Sequence, residues 1–453
     1  MDNKWSAKLS RLDFLKAAAA TGVSLAMPKV LSARAGAAEA RPSGHETMIG
    51  VPFEARKRVK AAVIGVGGRG TFLLQTFLST GGVDVVGVCD IVPDKVARAQ
   101  KIVTDAGQPE PAGFTNGSHD YENLLRRDDI DLAIIATPWR WHVPMAVFAM
   151  EQGHHAATEV PAARTLAECW QMVDTSERTR RHCMMLENCC YGDSEMMVLQ
   201  MVREGLLGEI VHGEAAYIHN LREELFGDVG EGEWRRAEHI GRNGNLYPTH
   251  GLGPVARCMD VNRGDRFDYL VSVSSMERSL SLWRDSHVKP DSPKGLERYD
   301  CGDMNTSIIR TVKGRTIMLQ HDVVTPRPYS RINMVSGTKG TFYGYPDRIY
   351  LDGQDGDDWQ NPDPFREKYA HPLWKRIGDL ARKNGGHGGM DYIMAYRLIE
   401  CIREGIVPDM DVYDAAALSA PTPLSEASVK KHGASQKFPD FTRGKWTEPR
   451  KEA

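Results

Sequence analysis

Residues Val59–Asp90 read VKAAVIGVGGRGTFLLQTFLSTGGVDVVGVCD, and this stretch decides the fold. An apolar run enters Gly65-x-Gly67-x-x-Gly70, a helix-forming segment follows, and a second apolar run ends on Asp90. Gly65 permits a tight turn, Gly67 lets backbone come close to a pyrophosphate, and Gly70 lets helix and strand pack closely. The helix that begins here offers free N–H groups and its positive dipole end to phosphate. An acid about 20 residues further on takes the ribose hydroxyls and repels a 2′-phosphate, so Asp90 favours NAD over NADP.

Working outward, the alternation continues. Helices are expected at 69–79, 93–106, 120–126, 142–150 and 166–180. Strands are expected at 59–64, 83–89, 130–137, 155–158 and 182–187, with a Gly/Pro/Asn loop over 107–118. Apolar strands alternating with amphipathic helices make a doubly wound parallel sheet, with ligands at the carboxyl ends of its strands. Those ends carry Asp90, Thr137-Pro-Trp-Arg-Trp-His142, Glu159-Val160-Pro161 and Glu187-Asn188.

After Asn188 a helix at 193–204 gives way to alternating strands at 210–219, 267–276, 304–313, 316–325 and 331–337, with a hairpin tip at Lys313-Gly314. The fold class is therefore α/β plus α+β: a Rossmann domain over 57–188, then a domain with a large open antiparallel sheet over 189–430. Residues 41–56 read as a linker and 431–453 as a C-terminal tail. Leu221–Pro248 is too polar for core and too long for a plain connector, which marks a functional loop. An open sheet face commonly finds a partner, and a homo-oligomer through it is an expectation.

A net charge of −3 from 57 basic and 60 acidic residues gives no electrostatic case for nucleic acid. No stretch of the mature region is apolar and long enough for a membrane span. Residues 1–40 look like an export signal: Lys4, Lys8, Arg11 and Lys16 precede an apolar run and then small residues. Ser10-Arg-Leu-Asp-Phe-Leu-Lys16 is twin-arginine-like, with Leu12 where a second Arg belongs, and the expected destination is the periplasm. The eight cysteines form no CxxC pair and read as buried small apolar groups. The 15 histidines show no HExxH spacing, so no metal is expected.

These motifs carry a resemblance. The chain resembles the Gfo/Idh/MocA oxidoreductases and, more narrowly, glycoside hydrolase family 109, the NAD-dependent α-N-acetylgalactosaminidases. Leu186-Glu-Asn-Cys-Cys-Tyr191, Trp234-Arg235, Asn243-Gly-Asn-Leu-Tyr-Pro-Thr-His-Gly251, Thr325-Pro-Arg-Pro-Tyr329, Gly386-His-Gly-Gly-Met-Asp-Tyr392 and Asp411-Val-Tyr-Asp414 support it, over roughly Lys60 to Trp446. It implies that Gly68, Arg69, Asp90, Trp139, Arg140, Trp141, His142, Glu159, Val160 and Asn188 contact NAD beside Gly65, Gly67 and Gly70. It implies that Tyr217, Arg235, Tyr247, Pro248, Thr249, His250 and Tyr329 contact the sugar. The wider superfamily commonly has Glu-Lys-Pro where this chain has Glu159-Val160-Pro161, so that proton-transferring Lys is missing.

The implied reaction is hydrolysis of a terminal α-linked N-acetylgalactosamine by oxidation at C3, elimination at C1, addition of water and re-reduction, with no net cofactor turnover. That route needs proton-transfer groups near C3 and C2. His is best poised near neutral pH, and Tyr can relay a proton where a cation lowers its pKa. His250 and Tyr191 are the catalytic candidates, although a His after Pro-Thr is more often a helix-capping or core-satisfied residue. Two other readings stand beside this one: an NAD-dependent sugar oxidoreductase, and a non-catalytic sugar or NAD sensor.

Overall fold

The computed structural model describes residues 41–450 apart from 355 and 449. The export signal expected in residues 1–40 lies outside the described residues. The first sheet comprises β1 (Val59–Ile64), β2 (Val83–Cys89), β3 (Ala112–Phe114), β4 (Leu132–Ile135), β5 (His155–Thr158) and β6 (Cys183–Met185). Its order is β3-β2-β1-β4-β5-β6 and every pair is parallel. β4, β5 and β6 are buried along their whole length, as helices on both faces require. Between β1 and β2 runs the helix Gly68–Ser79, and Thr165 and Glu168 close a capping box on the helix Leu166–Thr179. β3 falls inside the stretch read as a loop. Three residues with a central glycine show no periodicity, and only pairing with β2 makes them a strand.

The second sheet comprises β7 (Ile210–Ile218), β8 (Phe267–Ser274), β9 (Asn305–Thr311), β10 (Thr316–Asp322), β11 (Met334–Gly337), β12 (Gly340–Tyr343), β13 (Arg348–Leu351) and β14 (Gln436–Lys437). Its order is β13-β12-β11-β7-β10-β9-β8-β14. The expected β9–β10 hairpin is present, with Gly314 at φ 90° in its tip. The sheet is mixed rather than purely antiparallel, because β7 and β10 pair in parallel. The connection from β7 to β8 is a helical crossover instead of a hairpin, which returns the chain to the same end of the sheet. That crossover contains the helix Thr249–Cys258, laid tightly on β7. A Cβ on Gly251 would stand 2.4 Å from the Ala216 nitrogen, so only glycine allows the approach.

The sequence boundaries do not separate independent bodies. The segment read as a linker is docked: Met48 and Phe53 are buried, and Phe53 packs between the rings of His155 and His182. The tail is docked as well. β14 extends the second sheet beside β8, and Phe438 and Phe441 are buried. The helix Met390–Glu404 returns to the first sheet, where Ile393, Leu398 and Ile399 share one apolar cluster with Val63, Leu74 and Phe77. All eight cysteines are buried and free. No helix among the described residues is long and apolar enough to cross a membrane.

Candidate functional site

The carboxyl end of the parallel sheet begins with the glycine turn. Gly65 has φ 84°, and a Cβ there would meet the Ala136 carbonyl at 2.6 Å. A Cβ on Gly70 would lie 1.7 Å from the Gly65 carbonyl. A Cβ on Gly68 would meet nothing within 4 Å and one on Gly67 only the Lys95 ammonium at 3.9 Å, which leaves the cradle that a pyrophosphate requires. Asp90 accepts hydrogen bonds from the Val66 and Val92 amides, both at 3.0 Å, and so fixes the turn while keeping acceptor capacity for ribose hydroxyls.

Arg69, in the first turn of the helix after the glycines, is clamped. Its Nε donates to Glu159 Oε1 at 2.6 Å and its Nη2 to Asp391 Oδ1 at 2.8 Å. Asp391 is fully buried and also accepts from Asn188 Nδ2 at 2.9 Å and from His387 Nδ1 at 2.6 Å. Burial alone would raise the Asp391 pKa, but His387 and Arg69 hold it below the usual carboxylate range. Arg69, Glu159 and Asn188 thus converge. Their hub, Asp391, lies 203 residues beyond Asn188 and 322 beyond Arg69, inside a motif that gives no sign of its target.

Trp139 is buried at the end of β4, Arg140 is exposed, and Trp141 packs edge-on to His119 and Tyr121. His142 departs from the expectation of cofactor contact. It is completely buried, and its ring nitrogens lie 2.8 Å from the Pro161 and Thr137 carbonyls, so it braces the ends of β4 and β5. Val160 is also buried, its amide donating to Glu159 Oε2 at 3.1 Å.

A second group meets this rim. His250 stands in the first turn of the helix Thr249–Cys258, and its Nδ1–H donates to Glu187 Oε1 at 2.8 Å. Glu187 follows β6, is fully buried, and also accepts from the Cys189 amide at 3.1 Å. Burial pushes the Glu187 pKa up, yet the facing imidazole outweighs it and the carboxylate sits below its usual range. With Nδ1 committed, Nε2 is the basic nitrogen, 3.4 Å from the Tyr247 hydroxyl. Glu187, Cys189 and His250 bring three donor atoms within 4.8 Å of one another, but the imidazole–carboxylate hydrogen bond already joins two of the three residues.

Aromatic rings extend the group. Tyr217 lies 4.6 Å from Tyr247, 5.5 Å from His250 and 5.7 Å from His219, measured between ring centroids. Its hydroxyl is 3.0 Å from His219 Nδ1. Trp139 of the first sheet approaches Tyr247 at 5.6 Å and Trp234 at 5.1 Å, joining the two halves of the site. Arg235 is buried over Trp139, Tyr217 and Tyr247, with Nη1 bound to Glu231 at 2.9 Å. Its Nη2 is buried with no hydrogen-bond partner among the described residues, a donor left for a ligand. Tyr329 is half-exposed beside His219, its hydroxyl accepting from Arg331 at 3.0 Å. Pro248 and Thr249 are buried and frame the start of the His250 helix.

Tyr191 is not brought to this group. It is fully buried, its hydroxyl lies 3.4 Å from Asp409, and Arg257 covers its ring. Burial drives its pKa well above the usual phenol range, and does the same to Tyr247. A cation next to a tyrosine does not lower its pKa here, because burial outweighs Arg235. Sequence reasoning missed His219. The signal was available, since alternation along β7 places residue 219 on the face of Tyr217.

Residues 191–448 match the family described as glycosyl hydrolase 109, C-terminal domain, and residues 59–187 match an oxidoreductase family with an NAD-binding Rossmann fold. A glycosyl hydrolase family 109 protein of Solibacter usitatus is 56% identical over 442 residues, covering 97% of this chain and 98% of that protein. The chain belongs to glycosyl hydrolase family 109. A second family 109 protein, from Saccharopolyspora erythraea, is 50% identical over 450 residues, 99% of this chain and 97% of that one. Among solved structures, a levoglucosan dehydrogenase in complex with NADH and levoglucosan superposes with a TM-score of 0.65 at 20% identity, over 84% of this chain and 100% of that chain. An inositol dehydrogenase homolog from Azotobacter vinelandii, complexed with NAD+, gives 0.64 at 16%, over 85% and 99%. At such identities these share the fold. This family 109 chain is thus a glycosyl hydrolase built on an NAD-binding oxidoreductase scaffold, with NAD as its cofactor.

Proposed function

We propose that the protein releases terminal α-linked N-acetylgalactosamine by transient oxidation and re-reduction of the sugar, with no net use of NAD. The observation that carries this reading is the Glu187–His250 pair, set at the carboxyl end of the dinucleotide sheet. A conventional glycosidase needs two carboxyl groups free to flank the bond. Of the acids at this sheet end, Glu159 and Glu187 are already bound to Arg69 and His250, and Asp90 to the Val66 and Val92 amides of the glycine turn.

Gly67, Gly68, Asp90 and Arg69 would hold the coenzyme, which supplies a reversible hydride acceptor. The protein's own work is then binding and proton transfer. His250 Nε2 accepts a proton from the sugar, and the ionised Glu187 stabilises the imidazolium that results. The Tyr217–His219 pair is the second route for a proton, with burial, Arg235 and His250 all keeping His219 neutral. Arg235 Nη2 takes a sugar oxygen, and Trp139 and Tyr247 wall the pocket. Val160 has no proton to give where the wider superfamily has Lys, which weighs against a simple sugar dehydrogenase.

The test is a panel of α- and β-aryl glycosides, with aglycone release and nicotinamide absorbance read together. Release from the α-N-acetylgalactosaminide without accumulating NADH is expected. Net NADH, or release unaffected by stripping NAD, would overturn the proposal.

A further inference from the structure

The far end of the His250 helix opens on a different chemistry. A cavity of about 210 Å³ lies there, roughly seven waters' share of liquid volume. Four guanidinium groups line it, from Arg203, Arg257, Arg263 and Arg450, against two carboxylates, Asp409 and Asp411. His371 adds no charge near neutral pH, because burial and then Arg203 and Arg257 push its pKa down to about 4.

The acids are individually accounted for. Asp411 accepts from Arg450, and Asp409 is gripped from behind by Arg397 at 3.0 and 3.1 Å. Arg263 is held bidentately by Asp414 at 2.7 and 2.8 Å. Arg257 by contrast makes one hydrogen bond, to the Cys190 carbonyl at 3.3 Å, while covering the Tyr191 ring, and its Nε is buried with no partner among the described residues. Arg450 has a side chain 9% exposed, and its Nε and Nη2 likewise have no partner among the described residues. Buried guanidinium N–H groups left unmatched are costly, and their planar fork matches an oxyanion.

We infer that this cavity binds one small oxyanion, a phosphate-like or carboxylate group, between Arg257 and Arg450. The inference is independent of the glycosidase reading, since Arg257 lies seven residues from His250 at the other end of their helix, or roughly 10 Å along the axis.

Calorimetric titration of inorganic phosphate into the NAD-saturated full chain, at constant ionic strength, tests this. One saturable site per chain is expected, weakened at least tenfold by Arg257→Met and unchanged by His250→Gln. Should Arg257→Met fail to fold, Arg450→Met serves the same purpose. No saturable binding to the chain, or binding undiminished in both arginine variants, overturns the inference.

Discussion

A carboxylate strengthens an imidazole base only while it stays ionised, and Glu187 manages this in complete burial because His250 faces it. His250→Gln should cut turnover by about 10²- to 10⁴-fold, the usual contribution of a general base. NAD binding, read by fluorescence quenching, should be kept; unchanged turnover would remove His250 from the mechanism. Tyr191→Phe should leave kcat within about twofold, since its hydroxyl faces Asp409 and not the sugar side. That contrast shows what was legible in single residues. The run around His250 announced a site, because aromatic and basic residues in a long polar loop have few structural uses. Tyr191 sits in an equally distinctive motif, yet burial decided its role, and burial is a property of the whole fold.

Elements whose identity rests on local physics were readable, and those that rest on distant partners were not. The glycine turn, the alternating strands and the β9–β10 hairpin follow from steric freedom and period. β3, β14 and the parallel β7–β10 pairing depend on what lies alongside. The clamp on Arg69 is of the second kind. Asp391→Asn should loosen it and weaken NAD at least tenfold, because Arg69 and His387 would both lose a buried acceptor charge. A titration showing unaltered affinity would mean that the clamp serves the fold alone. Gly70→Ala cannot be accommodated without moving the turn, and the expected result is loss of NAD retention on purification.

Across the whole molecule, several histidines are buried without charge. Burial lowers the pKa of His182 to about 4, and of His239 to about 3. The unfolded chain binds those protons near pH 6.5 and the folded one does not. Stability is therefore full above that pH and is lost as pH falls from about 6.5 through about 4 for His182 and about 3 for His239. Thermal melts across this window should show Tm dropping steadily, whereas a flat profile would deny that these rings stay neutral. Phe53, wedged against His155 and His182, is part of the same region, and Phe53→Ala should cost about 3–5 kcal/mol in chemical denaturation. Self-association, if it uses the second sheet, would use the open face where Val273 and Ile308 are exposed. Ile308→Lys should then lower the sedimentation coefficient. The return of the helix Met390–Glu404 to Val63, Leu74 and Phe77 has a consequence for synthesis. A ribosome releases the dinucleotide half long before the segment that covers it, so an arrested nascent chain ending near Asn188 should recruit chaperones, and only the finished polypeptide should let them go.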